Sequence, residues 1–226
     1  MNAKISGLFL KVQNMINDVV TIEKKHTNAA ATLFDRVLRD RKTKFIVTIS
    51  GEVGAGKCEI AHELGRKLIE QGIGVKLLHM DNYYHVPPLE RLEWRKKNGL
   101  AKIGYDEYDW NRINENIDDF RLNKKSVLPL VDLFTQKVDS LYTDFNGIEM
   151  LIIEGLYSIK INQSDLRVFI ELTYEDTWEE QNLTHKEILD DFRIEVLKHE
   201  HKAVQSLKSL ADFYIDFDTA NEIFHL

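Results

Sequence analysis

Eight consecutive residues in the first third of the chain have the composition and spacing of a phosphate-binding loop. Glycines at positions 51, 54 and 56 allow the backbone to turn its N–H groups inward around phosphate oxygens, and Lys57 can reach the β- and γ-phosphates of a nucleotide. A helix that begins near Lys57 adds the attraction of its dipole for anions. We therefore predict nucleotide binding by this phosphate loop, which comprises Gly51, Glu52, Val53, Gly54, Ala55, Gly56, Lys57 and Cys58. A glycine-rich turn without a ligand is the alternative interpretation.

Two acidic residues directly follow apolar runs, Asp81 after residues 75–80 and Glu154 after residues 150–153. A phosphoryl transfer site needs a phosphate cradle, oxygen ligands for a metal ion, and a carboxylate that orients the attacking hydroxyl and accepts its proton. Asp81 and Glu154 are placed for the last two tasks. Each alone could be a turn former or a helix cap. Their occurrence together beside the phosphate loop favours the catalytic interpretation.

The last residue of the phosphate loop is Cys58, where this motif normally has a serine or threonine whose hydroxyl binds Mg²⁺. Magnesium prefers oxygen ligands at about 2.0 to 2.1 Å, and a thiol is a softer, poorer ligand. We therefore expect Cys58 to weaken metal binding and to slow catalysis rather than abolish it. Cys58 also lies at a helix N-terminus, a position that can raise the thiolate character of a cysteine, but we do not expect a redox role.

The elements that must position these residues alternate between strand and helix. The apolar run 45–49 precedes the phosphate loop, a helical pattern follows it, and further apolar runs occur at 75–80, 150–153, 167–170 and 213–215. Five such strands with helical connections predict an α/β fold, a parallel sheet with helices on both faces. In that architecture, ligands bind at the carboxyl ends of the strands.

Residues 1–42 form a predicted N-terminal helical extension, because their apolar positions recur at helical spacing. The main domain is predicted to comprise residues 43–226. The extension packs on that domain in one interpretation, and mediates a homodimer contact in the other.

Composition limits the class of protein. The formal net charge of −7 argues against broad nucleic-acid binding. The single cysteine allows no internal disulfide, which suits a reducing compartment. We see neither a signal-peptide pattern nor an uncharged run near the roughly 20 residues that span a bilayer. We therefore expect a cytoplasmic protein that does not enter a membrane.

Taken in order along the chain, the motifs resemble those of the uridine kinase and phosphoribulokinase family. They are the phosphate loop, Asp81-Asn82-Tyr83-Tyr84, Tyr108-Asp109-Trp110, Pro129-Leu130-Val131-Asp132 and Ile153-Glu154-Gly155-Leu156. The resemblance covers about residues 44 to 217 and implies a P-loop NTPase fold that uses ATP and Mg²⁺. It implies that Asp81 is the general base, Lys57 the phosphate lysine and Glu154 the acidic residue near the metal. The implied function is ATP-dependent phosphorylation of a hydroxyl group on a small-molecule acceptor.

The acceptor pocket departs from the family's pattern. Ile103 stands where uridine kinases carry the aspartate that binds the ribose hydroxyls, although a shift of register would restore Asp106 to that role. Val131 and Gln136 stand where those enzymes carry the tyrosine and histidine that read the pyrimidine, and losing such hydrogen bonds lowers nucleoside specificity. The acceptor is therefore left undetermined. The candidates for binding it are Tyr83, Tyr84, Asp106, Asp109, Asp132 and Gln136.

The lid, predicted over about residues 173–193, also departs from the family's pattern. Family members use several arginines there to stabilise charge on the transferring phosphoryl group, whereas residues 173–189 contain none. Lys186 and Arg193 remain as candidates that close over the nucleotide, with solvated helix surface as the alternative for both. A lysine has no bidentate fork, so we expect a looser clamp. A basic cluster could face an anionic substrate or form an exposed helix face; its members are Arg91, Arg95, Lys96 and Lys97.

These departures leave a second function open, that of a nucleotide-binding regulatory or scaffold protein with weak or lost kinase activity. The presence of Asp81 favours the kinase. A GTPase is disfavoured because the chain has no Asn-Lys-x-Asp motif for guanine.

Overall fold

The computed structural model describes residues 21–132, 134–178 and 190–217. In chain order its longer elements are α1 (Lys24–Asp40), β1 (Phe45–Ser50), α2 (Lys57–Glu70), β2 (Val75–His79), α3 (Pro88–Asn98), α4 (Trp110–Arg121), β3 (Lys125–Val131), β4 (Val138–Asp144), β5 (Met150–Glu154), β6 (Leu166–Ile170), α5 (Asp191–Gln205) and β7 (Phe213–Ile215). Within these ranges, no helix combines the length and the apolar character needed to cross a membrane.

Five strands form one parallel sheet in the order β2-β5-β1-β6-β7, which confirms the predicted α/β fold. Strand β1 lies in the centre, and all six of its residues are buried, as expected for a strand with helices on both faces. One face packs against α1 and α2, and the other packs against α4 and the end of α5.

The register of the parallel pairs aligns the carboxyl ends of three strands. Glu154, the last residue of β5, lies opposite Ile49 of β1 on one side and opposite His79 of β2 on the other. The phosphate loop follows β1, and Asp81 follows β2. The alignment therefore brings the main candidate residues to one edge of the sheet, where ligands bind in such folds.

Strands β3 and β4 form a separate antiparallel hairpin that the sequence patterns did not predict. Six of the seven residues of β4 are exposed, so this strand lacks the alternation of apolar and polar residues by which half-buried strands are recognised. The hairpin is joined to the main sheet through Asn82, whose side-chain oxygen accepts the backbone N–H of Val131 at 3.0 Å. This contact holds the end of β3 next to Asp81.

Helix α1 belongs to the same hydrophobic cluster as β1 and α2. Its residues Ala29, Ala30, Leu33 and Val37 are buried there, so this part of the predicted extension packs on the main domain. Residues 1–20 of the predicted extension lie outside the described residues. The homodimer contact stays a prediction.

Glu52, a residue of the phosphate loop that is 2% exposed, connects this loop to other elements through its carboxylate. One carboxylate oxygen accepts the backbone N–H of Tyr174 at 2.8 Å, and the other accepts Nδ1–H of His201 in α5, also at 2.8 Å. The amide of Gln205 donates to the second oxygen as well. These bonds join the phosphate loop to the first residues of the predicted lid and to α5.

Replacing Gly155 by alanine is expected to destabilise the fold. At its φ of 155°, an added Cβ would lie 2.6 Å from Cβ of Met80, and such overpacking costs about 1–3 kcal/mol in unfolding free energy. Gly65→Ala in α2 is the matched control, because a Cβ at position 65 would meet its nearest atoms at 3.8 Å or beyond. This substitution should stabilise the protein slightly, since a glycine inside a helix costs about 0.5–1 kcal/mol relative to alanine. Chemical denaturation measures both; equal effects would show that a side chain at position 155 fits beside Met80 after all.

Replacing Glu52 by alanine removes the shared acceptor of Tyr174, His201 and Gln205. The bond from the backbone N–H of Tyr174 is buried, and a buried donor left without an acceptor costs about 1–3 kcal/mol. We expect a clear loss of thermal stability. Glu93→Ala is the control, because Glu93 is exposed on α3 and such surface changes usually stay within about 0.5 kcal/mol. A Glu52→Ala protein as stable as the Glu93→Ala protein would show that Glu52 is not an anchor.

Candidate active site

The phosphate loop connects the end of β1 to the start of α2. Gly54 and Gly56 have φ values of 78° and 84°, which glycine adopts without strain. Gly56 is also the N-cap residue of α2, so the first N–H groups of the helix lie at the loop. The ammonium of Lys57 donates to the carbonyl of Glu52 at 2.7 Å, which holds it across the loop. This arrangement suits the binding of phosphate groups.

Three side chains meet where the loop enters α2. Nδ1 of His79 donates to Oε1 of Glu154 at 2.8 Å, while Sγ of Cys58 lies 3.5 Å from that nitrogen and 3.7 Å from that oxygen. We call these three residues the Cys-His-Glu cluster. Glu154 is almost completely buried, whereas 39% of the His79 side chain is exposed. The cluster follows directly from the sheet register, because His79 lies opposite Glu154 in β2 and β5.

Electrostatics in the cluster favour a charged carboxylate and a neutral thiol. Burial by itself raises the pKa of Glu154, but the hydrogen bond and charge of His79, with the charge of Lys57, hold that pKa below its usual range. Burial raises the pKa of the Cys58 thiol far above its usual range, and the charge of Glu154 adds to this effect. Burial and the charge of Glu154 thus outweigh the helix N-terminus, which by itself would lower the pKa of the Cys58 thiol.

Asp81 lies in the turn Met80–Tyr83 that directly follows β2. Its side chain is exposed, yet protein surrounds it closely enough that lost hydration raises the pKa of its carboxyl, and the charge of Glu154 raises it further. The charges of Lys57, Arg91 and His79 act in the opposite direction. Asp81 thus shares its electrostatic environment with the phosphate loop and with the Cys-His-Glu cluster.

The two tyrosines after Asp81 have different positions. Tyr83 is buried, and its hydroxyl donates to Oδ1 of Asn116 at 2.9 Å, so its hydroxyl is engaged inside the core. Tyr84 is half-buried, and its hydroxyl accepts that of Tyr108 at 2.6 Å. The guanidinium of Arg91 lies 3.5 Å from the centre of the Tyr84 ring.

The other predicted acceptor residues lie on three segments. Asp106 is exposed in the turn Tyr105–Glu107, and Asp109 caps α4 by accepting the backbone N–H of Arg112 at 3.0 Å. Asp132 and Gln136 lie in the connection of the β3-β4 hairpin. There Asp132 accepts the backbone N–H groups that follow it, and Gln136 is exposed with a φ of 54°. Their roles toward an acceptor stay predictions.

The basic residues divide into separate environments. Arg95 is 7% exposed and pairs with Glu107 at 2.7 Å and with Glu200 at 3.2 Å, so neither interpretation of the basic cluster holds for it. Arg193, in the first turn of α5, lies 3.4 Å from Glu200. The other lid candidate, Lys186, lies outside the described residues.

Two residues of the candidate site, His79 and His201, were not predicted from the sequence. His79 is the last residue of a strand and stands two positions before Asp81. That position was a usable signal, because residues at the carboxyl ends of parallel strands lie at one edge. His201 contacts Glu52 across 149 positions of sequence, and no local pattern indicates that contact.

The donor atoms of the Cys-His-Glu cluster do not fit Mg²⁺. One is a sulfur and one is a ring nitrogen, and only Glu154 offers the oxygen that magnesium prefers. The predicted metal ligands Cys58 and Glu154 are thus adjacent, but their chemistry together with His79 suits a softer ion.

Known proteins resemble this chain over the segments that contain the phosphate loop, Asp81 and Glu154. The model of the phosphoribulokinase / uridine kinase family matches residues 46–186. The uridine kinase of Ureaplasma urealyticum serovar 10 is 29% identical over 137 residues, which make up 58% of this chain. The chain spans 63% of the length of that curated relative.

Two solved structures have the same fold. A possible uridine kinase from Bacillus stearothermophilus superposes with a TM-score of 0.56 at 20% identity, over 84% of this chain and 98% of that one. Phosphoribulokinase from Rhodobacter spheroides gives a TM-score of 0.58 at 13% identity, over 79% of this chain and 74% of that one. Because the family model matches more than half of the sequence, including the phosphate loop, Asp81 and Glu154, the chain belongs to the phosphoribulokinase and uridine kinase family.

Proposed function

We propose that the protein is an ATP-dependent kinase that phosphorylates a hydroxyl group of a small metabolite. The observation that carries this proposal is the exposed carboxylate of Asp81 near the charge of Lys57, at the same edge of the sheet as the phosphate loop. A kinase needs a phosphate cradle and a carboxylate directed at the acceptor. Membership of a family of small-molecule kinases supports the same conclusion.

The proposed reaction is an in-line displacement at the γ-phosphorus of ATP, which reaches such sites as its magnesium complex. Backbone N–H groups of the phosphate loop and the ammonium of Lys57 hold the phosphate oxygens. Asp81 accepts the proton of the acceptor hydroxyl while the new oxygen–phosphorus bond forms and the bond to ADP breaks. Lys57 balances the negative charge that develops on the transferring group.

The surroundings of Asp81 suit a polar, hydroxylated acceptor. Arg91 is near enough for its charge to lower the pKa of Asp81, and it would attract an acceptor that carries a phosphate group. The exposed carboxylate of Asp106 can accept hydrogen bonds from sugar hydroxyls. Uridine, which the name of the curated relative suggests, and a phosphorylated pentose are therefore the first acceptors to test.

An acceptor screen read as ADP release tests the function. The panel contains uridine, other nucleosides, pentoses, pentose phosphates and hexoses, each with ATP and Mg²⁺. We expect ADP release that requires one acceptor class. ATP binding without acceptor-dependent ADP release across the panel would instead support a regulatory or scaffold protein.

Replacing Asp81 by asparagine should lower kcat for the identified acceptor by about 100-fold to 10,000-fold, the usual contribution of a general base. ATP affinity should stay close to that of the unmodified protein, because the phosphate loop is intact. Asp35→Asn, on the exposed side of α1, is the control and should leave kcat unchanged. Full acceptor-dependent turnover by Asp81→Asn would rule out the assigned base.

A further inference from the structure

The Cys-His-Glu cluster contains three different metal-binding atoms within 4.8 Å of one another. Each atom comes from a separate element: Cys58 from the first turn of α2, His79 from the end of β2 and Glu154 from the end of β5. The two strand residues are held opposite each other by the sheet register. The three atoms are therefore brought together by the regular backbone of the fold.

The spacing of these atoms approaches that around a tetrahedral zinc ion. With Zn–S near 2.3 Å and Zn–N or Zn–O near 2.1 Å, tetrahedral angles place sulfur about 3.6 Å from each other ligand, and nitrogen about 3.4 Å from oxygen. The observed distances from Sγ of Cys58 are 3.5 Å to His79 and 3.7 Å to Glu154. The distance of 2.8 Å between His79 and Glu154 is that of a hydrogen bond, and it must lengthen when an ion replaces the shared proton.

The donor types also suit zinc. Zn²⁺ commonly binds thiolate sulfur, imidazole nitrogen and carboxylate oxygen, whereas Mg²⁺ requires an oxygen environment. A thiolate at Cys58 and the carboxylate of Glu154 together balance the two positive charges of the ion. Three protein ligands leave a fourth position for water or another oxygen ligand.

We propose that Cys58, His79 and Glu154 bind one zinc ion at the point where the phosphate loop enters α2. Binding releases the thiol proton of Cys58 to solvent, and the imidazole of His79 binds in its neutral form with the remaining proton on Nε2. The ion ties the start of α2 to the ends of β2 and β5. This site shares Cys58 and Glu154 with the proposed nucleotide site, but zinc binding to its ligands requires neither nucleotide nor acceptor.

Cobalt is a suitable probe, because Co²⁺ replaces Zn²⁺ in such sites and a cobalt–thiolate bond absorbs in the near ultraviolet. The chain has one cysteine, so any such absorption must come from Cys58. We expect the full chain to develop this band at one cobalt per chain, without nucleotide or acceptor, and to lose it when one equivalent of Zn²⁺ is added. Absence of the band at saturating Co²⁺ would overturn the proposal.

Three variants separate this site from adventitious binding. Cys58→Ser should abolish the band. His79→Ala should weaken zinc affinity by about tenfold or more, since losing even an outer-shell partner of a metal costs about 10- to 100-fold. His85→Ala is the matched control, because His85 is exposed and the same substitution there should leave zinc affinity unchanged. Equal zinc affinities for the His79→Ala and His85→Ala proteins would exclude His79 as a ligand.

Circular dichroism of each variant shows whether it is folded, and Glu154→Gln provides a further ligand variant if one of the others does not fold. Zinc affinity is measured by competition with a chromophoric chelator. Because neither measurement involves ATP turnover, absent kinase activity leaves the zinc result unchanged. Equally, absent zinc binding would leave acceptor-dependent ADP release to be judged on its own.

Discussion

The geometry of the candidate site depends on the register between the parallel strands β2 and β5. That register places His79 opposite Glu154 and brings Asp81, two residues further along, to the edge where the phosphate loop leaves β1. A shift of β2 by one residue would turn His79 to the opposite face of the sheet, away from Glu154. Strand β5 is buried along its whole length, and β2, at the edge of the sheet, buries Leu78 beside it, so contacts with the core help to hold the register that positions the candidate site.

Around this edge, buried charges join the peripheral elements to the sheet. Glu52 binds the phosphate loop to Tyr174 and α5, and Arg95 joins α3 to Glu107 and to Glu200 of α5. Buried charges are costly unless they are paired and hydrogen-bonded. Here the pairing also links α5, which follows the predicted lid, both to the phosphate loop and to α3 beside Tyr84. Movement of α5 would therefore alter the contacts of Glu52 and of Arg95, on both sides of the candidate site.

Sequence patterns were sufficient for the sheet and the phosphate loop, because buried parallel strands are continuous apolar runs and the loop depends on adjacent glycines. They were insufficient wherever a contact joins distant residues. Arg95 lies in a basic run and could not be recognised as buried, since its partners Glu107 and Glu200 are 12 and 105 positions away. The helix N-terminus at Cys58 is visible in the sequence, whereas the burial of its thiol beside Glu154 is not. The exposed β4 has no pattern of burial to detect.

Helix α1 contacts the phosphate loop, although α1 lies outside the stretch that the family model matches. A Cβ on Gly56 would lie 2.9 Å from Nε2 of His26, and His26 in turn packs edge-on against Phe217. His26 and Phe217 both lie outside residues 46–186, the stretch that the family model matches. The stretch matched by the family model is therefore smaller than the unit that packs together: a protein trimmed to residues 46–186 would lose the contacts of His26 and Phe217 beside Gly56 of the phosphate loop.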